Sequence, residues 1–146
     1  MKYYLAYGSN LNIFQMLSRC PGARLVGVTN LNGYSLVFKG SKTGSYLTIQ
    51  EEEGGKVPVA VYRITKRDEK ALDRYEGFPT FYYKKSISVS GLNEDAFLYI
   101  MKEDRPYGIP TQHYYEVCRE GYQDFCFDEE FLKEALRKSK EALENV

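Results

Sequence analysis

Hydrophobic residues fall into short segments whose spacing predicts a mixture of strands and helices. Val57, Val59 and Val61 alternate with other apolar residues, which is typical of a mostly buried strand. Comparable segments predict strands at residues 3–7, 46–51, 57–65, 82–90 and 96–102, with two more inside residues 23–39. The turn signals Asn32-Gly33, Gly54-Gly55 and Gly91-Leu92-Asn93 join these strands as three hairpins.

Helix-end signals and helically spaced apolar residues predict four helices. Asn12 and Gln15 have the spacing of a capping box, so a helix should follow Asn12. Gly77 stops a second helix, and Thr111 begins a third. The predicted helices cover residues 12–20, 66–76, 111–122 and the segment from about residue 128 onward.

This order of elements predicts an α+β protein without regular βαβ alternation. We expect a small mixed, mainly antiparallel β-barrel or curved sheet with flanking α-helices. The 146 residues suit a single domain spanning residues 1–146 with a core of its own.

Composition narrows the class of protein further. Basic and acidic residues number 20 each, so the chain has no basic footprint for nucleic acid. No apolar run approaches the roughly 20 residues of a membrane span, and the first residues do not resemble a signal peptide. Three cysteines without CxxC spacing argue against a disulfide framework or zinc site, and favour a reducing, cytoplasmic setting. The oligomeric state, monomer or homodimer, stays open.

The first candidate for chemistry is the turn Tyr7-Gly8-Ser9-Asn10 between a strand and a helix. Gly8 allows a positive φ or a close backbone approach, and Ser9 and Asn10 carry side-chain donors. Successive backbone N–H groups in such a turn can face one anion without any Lys or Arg. An ordinary capped strand-to-helix turn is the alternative.

The second candidate is Glu76, at the predicted end of a helix. The helix macrodipole disfavours a negative charge there, and burial would raise the pKa of the carboxyl toward the range of a general acid/base. A solvent-exposed glutamate in the last turn is the alternative.

Other catalytic classes have weaker support in the residues. His113 is the only histidine, so a Ser-His-Asp or Cys-His site would depend on it, and a surface or capping role is favoured. The segment Gly40-Ser41-Lys42-Thr43-Gly44-Ser45 lacks the Walker order and is interpreted as a mobile loop. We therefore expect no metal and no cofactor.

Three stretches, in order, resemble the motifs of the γ-glutamylcyclotransferase family, which includes the AIG2-like proteins. They are Tyr4-Leu5-Ala6-Tyr7-Gly8-Ser9-Asn10-Leu11, then Leu72-Asp73-Arg74-Tyr75-Glu76-Gly77, then Pro110-Thr111-Gln112-His113-Tyr114 followed by Gly121. Thr111 stands where the family usually has serine, and both residues cap helices. The resemblance covers nearly the whole chain and implies the family's fold, a small mixed barrel with flanking helices.

The resemblance implies an enzyme that converts a γ-glutamyl amide to 5-oxoproline and a free amine or amino acid. Glu76 would be the catalytic residue. The implied substrate-binding residues are Tyr4, Leu5, Ala6, Tyr7, Gly8, Ser9, Asn10 and Tyr114, while Tyr82 or Tyr83 could line the pocket. The partner would be a small γ-glutamyl molecule, with neither nucleic acid nor membrane involved.

Two alternatives remain open at this point. A sibling enzyme could release a free amino acid or a lysine side chain from an isopeptide, or could act on γ-glutamyl-amines or on a γ-glutamyl group attached to a carrier protein. The loops at residues 40–45 and 104–110 would then set the choice. A binding, sensor or scaffold protein on the same fold would use the turn but would not need Glu76.

A metal-independent reaction makes a direct prediction about chelators. The tethered amine and carbonyl of a γ-glutamyl group need only orientation and proton transfer, so EDTA should leave 5-oxoproline formation unchanged. The assay is product release before and after dialysis against EDTA. Loss of activity that zinc restores would contradict the prediction.

Overall fold

A computed structural model of the protein describes residues 1–145, in which five strands and four α-helices are present. The strands are β1 (Lys2–Ala6), β2 (Arg24–Lys39), β3 (Tyr46–Ile64), β4 (Tyr82–Ile87) and β5 (Ala96–Met101). The helices are α1 (Ile13–Arg19), α2 (Lys66–Glu76), α3 (Gln112–Asp124) and α4 (Glu130–Glu144), and a short 3-10 turn spans Ser9–Leu11.

The strands form one sheet in the order β2-β3-β1-β5-β4. Every neighbouring pair is antiparallel except β1 and β5, which run parallel. The α+β prediction is confirmed. Within residues 1–145, β2 and β4 are the sheet edges and do not pair with each other, so the sheet is open and curved. The barrel alternative was wrong because short β1 reaches only the last residues of β3, and the outer ends of β2 and β3 extend as a two-stranded ribbon.

Two of the three predicted hairpins were also wrong. Asn32-Gly33 and Gly54-Gly55 do not turn the chain, because β2 and β3 each continue through them as long strands. The two signals lie opposite each other, where the β2–β3 register shifts. Gly33 (φ 85°) and Gly54 (φ 78°) adopt positive φ there, so the same glycine chemistry produces an irregular bulge. The third hairpin, β4 with β5, is confirmed.

The helix ends follow the predicted signals. The Asn12 side chain accepts the N–H of Gln15 and starts α1. Thr65 and Asp68 form a complete capping box at α2, and Gly77 ends that helix in the left-handed conformation with φ 63°. Thr111 accepts the N–H of Tyr114 at the start of α3.

Buried Asp68 also ties α2 to the end of α1. Its carboxylate accepts the backbone N–H of Gly22, and the thiol of Cys20 donates to its carbonyl oxygen. Asp68 is only 2% exposed. The fold therefore uses a buried carboxylate, satisfied by backbone donors, to join two helices on one side of the sheet.

Helix α3 packs directly against the turn between β1 and α1. At Gly121, an added Cβ would lie 2.5 Å from the backbone nitrogen of Asn12 and 2.7 Å from the carbonyl carbon of Leu11. Only glycine allows this approach, so Gly121 sets the distance between α3 and the Ser9–Leu11 turn.

No helix within residues 1–145 has the length and apolarity needed to cross a bilayer.

Gly121→Ala should destabilise the protein although alanine favours helices. The clash is with backbone, so α3 must move, and we expect a loss of about 1–3 kcal/mol in the free energy of unfolding. Urea denaturation measures it. Gly27→Ala is the matched control, since an added Cβ there has no atom within 4 Å, and its change should stay within about 0.5 kcal/mol. Equal or increased stability of Gly121→Ala would contradict this account of the packing.

Candidate functional site

A cavity of about 500 Å³ opens where the Ser9–Leu11 turn, the end of α2 and the start of β3 meet. Side chains from β1, β4, β5 and α3 complete its wall. The predicted site residues that line it are Tyr4, Tyr7, Gly8, Ser9, Asn10, Glu76, Tyr82 and Tyr114. The structure thus brings all three motif stretches to one cavity, although they are far apart in the sequence.

Three of the predicted site residues lie elsewhere. Leu5 and Ala6 are 1% and 0% exposed and belong to the hydrophobic core, away from the cavity. The hydroxyl of Tyr83 donates to Glu103 on the other side of β4 from Tyr82. Successive residues of a strand point to opposite faces, which is why only one of the two tyrosines reaches the cavity.

The turn offers unused backbone donors. Within residues 1–145, the N–H groups of Gly8, Ser9 and Asn10 donate no hydrogen bond to the protein, whereas Leu11 and Asn12 donate to the carbonyls of Gly8 and Ser9. Gly8 has φ −120°, so it does not use a positive φ. A Cβ on Gly8 would lie 3.5 Å from the Tyr114 hydroxyl and would narrow the cavity.

Tyrosine hydroxyls of the wall are engaged with backbone groups. Tyr7 donates to the carbonyl of Tyr99 at 2.5 Å, and Tyr82 donates to the carbonyl of Leu47 at 2.7 Å. Tyr114 accepts the N–H of Leu47 at 3.1 Å. Burial raises the pKa of all three hydroxyls Tyr7, Tyr82 and Tyr114, so they stay protonated and give a rigid, neutral wall.

Glu76 is the last residue of α2 and faces this neutral wall. Within residues 1–145, its carboxylate has no hydrogen bond and no ion pair. The residue is half-buried because it opens on the cavity, while its carboxyl is surrounded by protein. Burial raises the pKa of Glu76 to about 7, and the guanidinium of Arg19 partly opposes that rise. Near neutral pH this carboxyl can therefore both take and give a proton.

Ion pairs fix the end of α2 against the sheet. Lys84 on β4 contacts Glu69 at 2.7 Å and Asp73 at 2.9 Å, two acids one helical turn apart. The hydroxyl of Tyr99 on β5 donates to Asp73 at 2.6 Å. Because Asp73 lies three residues before Glu76, these contacts hold the helix turn that carries the catalytic candidate.

Several cavity residues were not predicted from the sequence. These residues are Tyr46, Leu47, Tyr75, Phe81 and Tyr99. Tyr75 was adjacent to the predicted glutamate and could have been found from its motif. Tyr46, Leu47 and Tyr99 occupy strand positions and Phe81 directly precedes β4, and no local signal distinguishes these positions from core.

The structure gives no candidate metal centre among residues 1–145, where no three His, Cys, Asp or Glu side chains are grouped to hold an ion. His113 is exposed on α3 and contributes nothing to the cavity. Cys20, Cys118 and Cys126 are free thiols.

Comparison with known proteins agrees with this geometry. Residues 4–116 match the family described as "Gamma-glutamyl cyclotransferase, AIG2-like". The match extends over most of the chain and includes all three motif stretches as far as Tyr114. The chain belongs to this family. No curated protein sequence matches it.

Solved structures share the fold. An uncharacterized human protein, loc79017, is 25% identical with a TM-score of 0.78, the match covering 92% of this chain and 85% of that one. A "Gamma-glutamyl cyclotransferase" is 23% identical with a TM-score of 0.78 over the same shares. YkqA from Bacillus subtilis is 24% identical with a TM-score of 0.76, over 95% of this chain and 54% of that one.

The raised pKa of Glu76 predicts a specific dependence of stability on pH. Between its ordinary value of 4.5 and about 7, the folded state binds more protons at Glu76 than the unfolded state does. The free energy of unfolding should therefore fall as the pH rises through this window. Glu76→Gln removes the titration, so its stability relative to wild type should improve by on the order of 2 kcal/mol between pH 4 and pH 8.

Urea denaturation of both proteins across this pH range measures the difference. Glu53→Gln is the control, because Glu53 is exposed on the β2–β3 ribbon and its replacement should keep the wild-type slope. Parallel pH profiles for Glu76→Gln and wild type would show that the carboxyl has an ordinary pKa.

Proposed function

We propose that this protein is a γ-glutamylcyclotransferase, converting a γ-glutamyl amide to 5-oxoproline and a free amine or amino acid. The observation that carries the proposal is Glu76, an unpaired carboxylate in a cavity with its pKa raised to about 7. The family supports the same reaction class. We further propose that residues 1–146 act as one domain, with the small γ-glutamyl substrate as its partner.

The reaction needs little beyond orientation and proton transfer. The α-nitrogen of the glutamyl group attacks its own γ-carbonyl carbon, which forms the lactam C–N bond. The C–N bond to the leaving amine then breaks. Because both reacting groups belong to one molecule, the cavity mainly has to hold the folded conformer.

Glu76 is the group that moves the proton. As a carboxylate it removes a proton from the α-nitrogen, and as a carboxylic acid it delivers that proton to the leaving nitrogen. A pKa of about 7 lets one carboxyl perform both steps near neutral pH. The neutral tyrosines around it do not compete as charged groups, since burial raises the pKa of each of Tyr4, Tyr7 and Tyr82.

The Gly8-Ser9-Asn10 backbone is the proposed anion-binding element. Its unpaired N–H groups can receive the α-carboxylate of the substrate, or the oxyanion that forms on the γ-carbonyl during attack. The side chain of Asn10 contributes to the wall: its Nδ2 donates to the Tyr4 hydroxyl at 2.9 Å and its Oδ1 accepts from Arg19 at 2.6 Å. We therefore assign substrate binding at this turn to the backbone.

The aromatic part of the wall, formed by Tyr46, Phe81 and Tyr114, would hold the leaving group. Tyr46 and Phe81 meet there edge to face, with ring centroids 6.2 Å apart, and Tyr46 packs in the same way on Tyr114 at 5.0 Å. Such an aromatic surface favours an amine with apolar carbon atoms. The loops at residues 40–45 and 104–110 support this part of the wall together, because Gly40 and Ser45 donate hydrogen bonds to Pro106 and Ile109.

Glu76→Gln should leave the fold intact and reduce 5-oxoproline formation by about 10²- to 10⁴-fold, because the amide cannot transfer the proton. The measurement is product release from a panel of γ-glutamyl amino acids and γ-glutamyl amines. Glu53→Gln, the same change at an exposed position, should retain wild-type turnover.

Substantial turnover by Glu76→Gln would rule out its assigned role. Binding of the panel compounds by wild type without any product would favour a small-anion binding or scaffold protein on this fold.

A further inference from the structure

Arg19, the last residue of α1, joins the two halves of the candidate site from behind its wall. Its guanidinium donates to the Asn10 side chain at 2.6 Å and lies 3.5 Å from the centre of the Tyr75 ring. Asn10 belongs to the turn, and Tyr75 immediately precedes Glu76. Arg19 itself does not line the cavity.

The arrangement is specific to a guanidinium. Arg19 also donates to Gln15 on its own helix, so the flat group is oriented on one edge by amides and on one face by the Tyr75 ring. Tyr75 in turn shares a hydrogen bond of 2.9 Å with the Ser9 hydroxyl. A lysine ammonium could supply the charge but not the planar fork with stacking.

Arg19 is a cation without an acidic partner. Within residues 1–145, it forms no ion pair, although the chain has many acidic residues at its surface. This half-buried, unpaired guanidinium contacts the residue that precedes a half-buried, unpaired carboxylate, which indicates that its charge acts on the cavity.

We propose that Arg19 is a positioning residue, which holds the Ser9–Leu11 turn and the end of α2 in register and supplies the positive charge that balances Glu76. The inference rests on the proposed function for its catalytic consequence. It requires no contact between Arg19 and the substrate.

The electrostatic role of Arg19 has to be compared with the effect of every other titratable or charged group that faces Glu76. These are Tyr4 and Tyr7 from β1 and the segment after it, Tyr46 from β3, Tyr75 and Arg74 from α2, Tyr82 from β4, Tyr99 from β5 and Tyr114 from α3. Most are tyrosines whose pKa burial raises, so they remain neutral. Burial raises the pKa of Glu76, and Arg19 is the group that lowers it.

Two variants distinguish the electrostatic role of Arg19 from its positioning role. Arg19→Gln removes the charge, so the pKa of Glu76 should rise by about 0.5–1 unit, and the acidic limb of the kcat/KM profile should move to higher pH by the same amount. Arg19→Lys restores the charge but not the fork, so the pKa should return close to the wild-type value. The kcat of Arg19→Lys should stay about tenfold below that of wild type, since the Ser9–Leu11 turn and the Glu76 carboxylate are no longer held in their relative positions.

Titration of ¹³C-labelled glutamate carboxyls by NMR gives the pKa of Glu76 without any need for activity, with the signal assigned by its loss in Glu76→Gln. Kinetics with whichever γ-glutamyl compound wild type converts give kcat and KM across pH 5–9. Arg67→Gln is the matched control, because Arg67 is exposed at the start of α2, and it should change neither measurement.

An unchanged Glu76 titration in Arg19→Gln would overturn the electrostatic role. Wild-type kcat in Arg19→Lys would overturn the positioning role, and this variant decides that point even where Arg19→Gln does not fold. Absence of any turnover by wild type would reject the proposed function and the catalytic consequence of Arg19, while the NMR titration would still test its charge.

Discussion

Within residues 1–145, the half-buried carboxylate of Glu76 has no hydrogen-bonding or ionic partner, and much of the surrounding structure follows from that constraint. A buried, unpaired charge is unfavourable, and the C-terminal end of a helix adds a negative potential. The protein keeps the group by fixing α2 through contacts elsewhere along the helix. Lys84 holds Glu69 and Asp73, and Asp68 secures the other end. The paired acids Glu69, Asp73 and Asp68 stabilise α2, whereas Glu76 stays unpaired at the cavity.

The tyrosine wall meets a second requirement of such a site. A cavity that holds a polar substrate needs polar atoms, yet mobile hydroxyls would reorganise with every change of charge. Here the hydroxyls of Tyr7, Tyr82 and Tyr114 engage backbone groups of β3 and β5. Their orientation is set by the sheet before any ligand enters, so a ligand that binds requires little reorganisation of the wall.

The sequence predicted most of the features that depend only on neighbouring residues, such as the ends of helices. The caps at Asn12 and Thr111 and the stop at Gly77 depend only on neighbouring residues, and all are present. The glycines of the β2–β3 ribbon were misjudged, because a bulge and a turn require the same positive φ and differ only in the strand opposite.

The candidate site likewise combines residues that the sequence could predict with residues that it could not. The turn and Glu76 could be predicted because their motifs are contiguous. Tyr46 reaches the cavity from β3 and Phe81 from the segment before β4, whereas Arg19 contacts the Asn10 and Tyr75 side chains of the wall from α1. Nothing adjacent to Arg19 in the sequence indicates that it stacks on Tyr75. Such residues belong to the site through packing alone.

The position of β1 in the sheet also governs when the site can exist. β1 comes before the other four strands of residues 1–145, yet it lies in the middle of the sheet, between β3 and the parallel strand β5. The turn after β1 is flanked on both sides only when β3, which ends at residue 64, and β5, which begins at residue 96, have both joined the sheet. The Gly121 contact comes from α3, later still in the chain. A chain that lacks α3 would therefore lack both Tyr114 in the cavity wall and the Gly121 contact, and its site would be incomplete.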